Sequence, residues 1–145
     1  MEVAVARVMI VDDEDNQIRT LEIGLRLEGF HVCTAREAEG ALALLQFQPV
    51  DIAIVDLMMP GINGIELARK IRDQCPETRV VLTSAYHLSE TQLTRADCGV
   101  VGFVPKPYVL SELYVFLRAK LAQTSPSGAH PTLQALKSEA RLRAS

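Results

Sequence analysis

The sequence predicts an α/β fold in which a parallel β-sheet carries helices on both faces. Short runs rich in β-branched residues alternate five times with longer segments whose apolar residues recur at helical spacing. Several runs, such as VMIV, IAIV and VVL, are apolar without interruption, as strands are when both faces of their sheet are covered. Strict alternation of strand and helix favours parallel pairing through right-handed helical crossovers.

The strands are predicted from runs of four or five residues that contain Val, Ile, Thr or Cys and are bounded by polar or turn-forming residues. In chain order they are Arg7–Val11, His31–Thr34, Asp51–Val55, Arg79–Thr83 and Val100–Val104.

The helices are predicted between and after these strands, from apolar stripes such as Ile18, Leu21 and Leu25 in the first helix. The helix that starts at Ser89 is the least apolar, so we expect it to be the most weakly anchored. The five segments are Asn16–Glu28, Glu37–Gln46, Gly64–Arg72, Ser89–Ala96 and Leu110–Ala122.

The composition is that of a soluble globular protein. Of the 145 residues, 48% are apolar and 23% are charged, which suits one domain with a sizeable core. A net charge of −3 provides no broad cationic field, so we expect no direct DNA binding. No apolar run reaches the roughly 20 residues of a membrane span and no signal peptide is evident, so we expect no membrane insertion and a cytoplasmic location.

The composition changes after Ala122, and we expect the folded domain to occupy residues 1–122. Residues 123–145 are predicted to form a flexible linker and a short tail, because Gln123–Pro131 is rich in Ser, Pro, Gly and Thr. Thr132–Ser145 returns to helical spacing with one apolar side. That side consists of Leu133, Leu136 and Ala140. So short a helix is marginal alone in water, which leaves two interpretations: a frayed tail, or a docking peptide that folds on a partner.

Chemistry-bearing side chains follow the carboxyl ends of four predicted strands, and ligands bind at that edge of an open parallel sheet. The first strand leads into a carboxylate pair, the third into one carboxylate, the fourth into hydroxyls and the fifth into an ammonium. In chain order these residues are Asp12, Asp13, Asp56, Thr83, Ser84 and Lys106. Each is common singly in loops, but together on matching strand ends they predict one site.

Three carboxylates beside one ammonium leave a negative excess that a divalent cation would balance. Mg²⁺, or Mn²⁺ in its place, prefers such oxygen ligands. Asp12, Asp13 and Asp56 would bind the metal, with the backbone carbonyl of Met58 as a further ligand. The Asp56 carboxylate would then act as nucleophile toward a phosphoryl group, whose oxygens Lys106 and a hydroxyl would stabilise.

The chain resembles the receiver domains of two-component response regulators and is similar to the stand-alone chemotaxis type. The resemblance extends from about Ala6 to Ala122 and rests on the motifs VMIVDDE, IVDLMMPGINGIEL, VVLTSAY and GFVPKPY. It implies a flavodoxin-like, doubly wound sheet of order 2-1-3-4-5. It also implies an aspartyl-phosphate at Asp56, donated by a sensor histidine kinase or phosphotransfer protein, and a cis peptide bond between Lys106 and Pro107.

The resemblance also implies a switch. It assigns the hydroxyl role to Ser84, because the following Ala85 matches a small residue of the family motif, and Thr83 is the alternative. On phosphorylation of Asp56, the hydroxyl would move toward the phosphoryl group and Phe103 would turn inward behind it. The surface of the fourth helix, fifth strand and fifth helix would then change for a downstream protein target.

Two variable positions of the family are linked to the lifetime of the phosphoryl group. Here they are Met58 and Tyr86, each two residues after a site residue. We expect these bulky side chains to hinder attacking water and slow dephosphorylation, with plain surface packing as the alternative.

Competing interpretations are a phosphatase with an Asp nucleophile, a receiver-like scaffold or interaction protein that is not phosphorylated, and the N-terminal fragment of a longer regulator. The DxDx[TV] motif typical of such phosphatases is absent, and none of the acidic, hydroxyl or Lys positions of a receiver is lost. Because the product of phosphorylation is the modified protein itself, we do not expect an enzyme. The sequence leaves open the cognate kinase, the target and whether phosphorylation drives homodimerisation.

Overall fold

Five strands alternate with five helices in the computed structural model, which describes residues 5–123. The strands are β1 (Arg7–Val11), β2 (His31–Ala35), β3 (Ile52–Asp56), β4 (Arg79–Ser84) and β5 (Gly102–Pro105). The helices are α1 (Asp15–Leu27), α2 (Ala38–Phe47), α3 (Gly64–Gln74), α4 (Glu90–Ala96) and α5 (Leu110–Leu121). The predicted linker and tail lie outside the described residues, apart from Gln123.

All neighbouring strands pair in parallel, in the order β2-β1-β3-β4-β5. The predicted fold class and strand order are therefore confirmed. The register places Asp56 of β3 opposite Thr83 of β4, and Ser84 of β4 opposite Pro105 of β5. The carboxyl ends of the three strands thus stop at the same edge.

The core consists of two layers of apolar side chains, one on each face of the sheet. Strand β3 is buried along its whole length: Ile52 and Ile54 join a cluster with α1 and α5, whereas Ala53 and Val55 join a cluster with α2, α3 and α4. Because successive strand residues point to opposite faces, both sets need an apolar environment. The uninterrupted apolar runs of the sequence therefore reflect a sheet covered on both sides.

The largest differences from the predicted elements are two residues each: β5 begins at Gly102 rather than Val100, and α3 ends at Gln74 rather than Arg72. Val100 and Val101 are buried, but they belong to the connection that enters the sheet. Gly99 before them has a φ of +72°, a left-handed conformation that glycine adopts easily. Their β-branched apolar side chains therefore resembled those of a strand, and Val101 N does donate to the Val80 carbonyl of β4 at 2.8 Å.

Helix α4 is weakly anchored, as expected, because Leu93 is the one buried side chain among its seven residues. Its start is well defined, since the Ser89 side chain accepts a hydrogen bond from the Gln92 amide and the Gln92 side chain accepts one from Ser89 N. Among the helices of residues 5–123, none has both the length and the apolar character needed to cross a bilayer.

Candidate functional site

The strand ends bring the predicted site residues together at one edge of the sheet. Backbone hydrogen bonds link these ends: Leu57 N donates to the Thr83 carbonyl at 2.8 Å, and Lys106 N donates to the Ser84 carbonyl at 2.9 Å. At the end of β1, Asp12 N donates to the carbonyl of Ala35 at 3.1 Å. The backbone thereby places side chains from distant parts of the sequence next to one another.

Three carboxylates and one ammonium converge at this edge. One oxygen each from Asp12, Asp13 and Asp56 lies within 4.8 Å of the other two. The Nζ atom of Lys106 lies 3.1 Å from Asp12 Oδ2 and 3.7 Å from Asp56 Oδ2. Asp12 and Asp56 are buried, whereas Asp13 is exposed, so the cluster opens to solvent on the Asp13 side.

The two buried carboxylates are held in the same way. Asp12 Oδ1 accepts a hydrogen bond from Glu14 N at 3.0 Å, and Asp56 Oδ1 accepts one from Met58 N at 3.3 Å. The remaining oxygen of each, Oδ2, faces the Lys106 ammonium. Each carboxylate thus has one oxygen fixed by the backbone two residues later and one directed at the shared cation.

The electrostatics of the site disfavour the ionised form of Asp56. Burial raises the pKa of Asp56 above its usual range, and the charges of Asp12 and Asp13 act in the same direction. The Lys106 ammonium opposes this shift without cancelling it. A cluster of hard oxygen donors with excess negative charge fits Mg²⁺.

The two candidate hydroxyls have different surroundings. Ser84 Oγ accepts a hydrogen bond from Tyr86 N at 3.0 Å. Thr83 Oγ1 is buried and makes no hydrogen bond within the described part of the chain. Because neighbouring strand residues point to opposite faces, the two side chains diverge from the same strand end.

Phe103 is fully buried in the core cluster beneath α3 and α4. Its ring meets that of His87 edge-on, with centroids 6.5 Å apart and an angle of 86° between the planes. Phe103 therefore already points inward in this structure, which is the orientation expected after phosphorylation. Met58 and Tyr86 are 55% and 65% exposed, at the rim of the site.

Tyr108 is a residue of this region that the sequence patterns did not single out. Burial raises the pKa of Tyr108 to about 12, with the charges of Asp12 and Asp56 contributing. It lines a cavity of about 440 Å³ together with Lys106 and Pro107, whose shared peptide bond is cis. The available signal was its position two residues after Lys106, close to a strand end.

The parallel sheet and its acidic edge define the class: a flavodoxin-like α/β domain with a carboxylate cluster at the topological switch point. The chain belongs to the response regulator receiver domain family, whose model matches residues 8–118. It is therefore a signalling domain of the two-component type.

Individual relatives support this assignment. Regulatory protein AtoC of Escherichia coli (strain K12) is 33% identical, over 95% of this chain and 28% of AtoC. Probable transcriptional regulatory protein TcrX of Mycobacterium tuberculosis is 31% identical, over 81% of this chain and 50% of TcrX. The chain thus spans half or less of the length of these relatives.

A solved structure extends the comparison. Response regulator protein TrrA of Thermotoga maritima, crystallised in complex with Mg²⁺-BeF, is similar with a TM-score of 0.71 and 32% identity. The match covers 81% of this chain and 99% of that chain.

Proposed function

We propose that this receiver accepts a phosphoryl group on Asp56 from a phosphohistidine of a kinase or phosphotransfer protein, in a Mg²⁺-dependent reaction. The observation that carries the proposal is the position of Lys106. Its ammonium bridges Asp12 and Asp56 at the point where three carboxylates meet. A fixed cation beside the attacking carboxylate is suited to stabilise charge on incoming phosphoryl oxygens.

The transfer itself requires few protein groups. An oxygen of Asp56 forms the new bond to phosphorus as the P–N bond of the donor imidazole breaks, and the imidazole nitrogen retains the electron pair and takes up a proton. The hydrogen bond from Met58 N orients the acceptor carboxylate. Lys106 shifts its contacts from the carboxylates to the phosphoryl oxygens, and the Ser84 hydroxyl turns toward them from Tyr86 N.

The metal would be held by Asp12, Asp13, Asp56 and the backbone carbonyl of Met58. When bound, Mg²⁺ supplies positive charge that offsets the carboxylate excess and the charge of the phosphoryl oxygens. Burial, with the charges of Asp12 and Asp13, raises the pKa of Asp56 despite the Lys106 ammonium, so a further cation at this cluster would favour the ionised acceptor, which supports the assignment. TrrA, which is 32% identical to this chain and is matched over 99% of its own chain, was crystallised in complex with Mg²⁺-BeF.

The output is proposed to be a change in the surface formed by α4, β5 and α5, coupled to the acceptor through Ser84. Phe103 is already buried, so phosphorylation would stabilise its inward position rather than create it. This surface suits a protein partner, because α5 exposes 68% of Val115 to solvent.

We further propose that residues 1–122 form the receiver domain, which acts in the cytoplasm as a signalling domain rather than as an enzyme. In a longer regulator, the target would be a following domain of the same chain.

Phosphorylation can be tested by incubating the full chain with Mg²⁺ and acetyl phosphate and measuring its intact mass. We expect wild type to gain one phosphoryl group that is stable in acid and labile in base, and Asp56→Asn to gain none. Asp73→Asn, which neutralises an exposed carboxylate on α3, is the matched control and should behave as wild type. Equal adducts on wild type and Asp56→Asn would refute Asp56 as the acceptor.

The metal dependence has its own test. Mg²⁺ should raise the thermal midpoint of wild type, because a ligand that binds only the folded state stabilises it, by about 2.7 kcal/mol at a hundredfold excess over Kd. Asp13→Asn should lose most of this increase and Asp73→Asn should retain it. An unchanged response in Asp13→Asn would remove Asp13 from the proposed ligands.

A further inference from the structure

An open groove lies at the edge of the sheet opposite Asp56, between the carboxyl ends of α2 and α3. Its volume is about 410 Å³. Phe47, the last residue of α2, lines it and is 88% exposed. The exposed Pro49 and Pro76 and the half-buried Cys75 complete its apolar surface. An aromatic ring exposed to this degree beside two prolines forms an apolar patch that the described residues leave uncovered.

The charged residues that line the groove are both acidic. They are Asp51, which precedes β3, and Glu77, which precedes β4, and both are exposed. The groove therefore combines an apolar floor with a rim that carries two negative charges. An occupant that matches it would have an apolar side flanked by basic residues.

The described chain ends in contact with a residue next in sequence to the groove wall. The Thr78 hydroxyl, at the groove wall, donates to the Val50 carbonyl at 2.7 Å. The next residue, Arg79, donates a hydrogen bond from Nη2 to the carbonyl of Gln123. The described chain therefore ends at the side chain of Arg79, the residue that follows the groove-lining Thr78.

The sequence of Thr132–Ser145 has the properties of that occupant. Leu133, Leu136 and Ala140 share one side at helical spacing. The segment carries three basic residues, Lys137, Arg141 and Arg143, and one acidic residue, Glu139. Its side chains therefore have an excess of two positive charges. The eight residues from 124 to 131 reach about 26–29 Å when extended, which is ample to extend from Gln123, in contact with the Arg79 side chain, past the neighbouring Thr78 into the groove.

We propose that Thr132–Ser145 folds as an amphipathic helix into this groove, with its leucines on Phe47 and Cys75 and its basic residues toward Asp51 and Glu77. A short linker holds such a segment at an effective concentration in roughly the millimolar range, so a weak contact suffices. The groove in turn supplies the apolar burial that a helix of this length lacks in water. This intramolecular contact lies at the opposite sheet edge from the phosphoacceptor and is independent of it.

The test uses the full chain, comparing wild type with Leu133→Ser/Leu136→Ser. Amide NMR signals around Phe47 and Cys75 should shift in the double variant. Alkylation of the Cys75 thiol by iodoacetamide, followed by peptide mass mapping, should accelerate at least threefold. Cys33, half-buried on β2, is an internal reference whose rate should not change. Gln134→Ser, on the polar side of the segment, is the matched control and should behave as wild type.

Three outcomes would overturn the proposal. Unchanged groove signals and an unchanged Cys75 rate in the leucine variant would mean that the segment does not occupy the groove. Equal effects of Gln134→Ser and the leucine variant would exclude the apolar side as the docking surface. Protection of Cys75 that appears only as protein concentration rises, together with dimers in sedimentation, would assign the groove to a second copy.

Discussion

Gly64 lies directly against the backbone of Asp56. A Cβ atom at position 64 would be 2.5 Å from the Asp56 carbonyl oxygen and 2.8 Å from the Cα atom of Leu57. Gly64 N also donates to the Leu57 carbonyl at 3.0 Å, at the start of α3, where the Asn63 side chain caps the helix. The first turn of α3 is thereby fixed to the end of the strand that carries the acceptor, and glycine is required by this contact.

Gly64→Ala should destabilise the domain by about 1–3 kcal/mol, the usual range when an added methyl group overfills a tight site. The backbone atoms that the methyl group would meet cannot rotate away, so the loop from Asp56 to Asn63 has to shift. Urea denaturation measures the effect. Gly40→Ala in α2 is the control, because a Cβ there meets its nearest neighbour at 3.7 Å. It should be neutral or stabilising by up to about 1 kcal/mol. Equal effects of the two substitutions would contradict the role of the close approach.

Thr83→Val should stabilise the protein by about 1 kcal/mol. The substitution keeps the shape of the side chain and removes a buried hydroxyl that makes no hydrogen bond with the described residues. Ser84→Ala should do the reverse, because it removes the acceptor for Tyr86 N. Phosphoryl uptake should be slowed by Ser84→Ala and unaffected by Thr83→Val. Slower uptake in Thr83→Val instead would transfer the hydroxyl role to Thr83.

Much of the fold and the arrangement of the site could be predicted because both follow from short-range patterns and one topological rule. The run that ends in Val11 is apolar without a break, and its strand bounds were predicted correctly. Parallel strands carry their carboxyl ends to the same edge, so residues at or after those ends, including Asp12, Asp56 and Lys106, were expected on one edge of the sheet. The distances between their side chains depend on the packing of the loops after the strands.

What could not be predicted depends on packing between distant segments. Nothing in the sequence around Gly64 shows that the backbone of Asp56 leaves no room for a Cβ atom at this position. The sequence also does not show that Lys120 is buried. Its exposed fraction is 2%, although Lys is normally a surface residue. It continues the helical spacing of Leu113, Phe116 and Leu117 in α5, and the packing of that apolar side buries it. Periodicity predicted the buried side of the helix but not that a charged residue would occupy it.

The buried Lys120 predicts a pH dependence of stability. Burial lowers the pKa of Lys120 from its ordinary value of 10.5. In the pH window between the lowered pKa and 10.5, the unfolded chain therefore binds more protons than the folded one. The contribution of Lys120 to the free energy of unfolding therefore becomes more favourable as pH rises through that window. At neutral pH the buried ammonium is destabilising, and it lies 5.4 Å from the ring of Phe116.

Lys120→Met should accordingly raise the free energy of unfolding at neutral pH by on the order of 1 kcal/mol, because it keeps the volume and removes the buried charge. The advantage over wild type should shrink as pH approaches 10.5. Urea denaturation across this range measures both effects. Lys70→Met on the exposed side of α3 should change stability by no more than about 0.5 kcal/mol. A destabilised Lys120→Met would mean that the contact with Phe116 outweighs the burial of the charge.

Met58 and Tyr86 are predicted to set the lifetime of the phosphorylated state. The backbone amides of both bond to site residues, Met58 N to Asp56 Oδ1 and Tyr86 N to Ser84 Oγ, so their exposed side chains are anchored on either side of the acceptor. Hydrolysis needs a water molecule in line with the bond between Asp56 and phosphorus. The bulky side chains of Met58 and Tyr86 restrict the approach of that water. Met58→Asn and Tyr86→Ala should each shorten the half-life of the phosphorylated protein several-fold, followed by intact mass after the phosphodonor is removed.

Val115→Ala, an equally exposed apolar change on α5, should leave the half-life of the phosphorylated protein as in wild type. Unchanged half-lives in both rim variants would assign Met58 and Tyr86 to plain surface packing. If both single variants shorten the half-life, the double variant separates two ways of excluding water. If the side chains block different approaches, the rate increases of the two single variants add, because each substitution opens a separate route for water. If together they close one approach, removing either opens it, and the double variant hydrolyses no faster than the faster single variant.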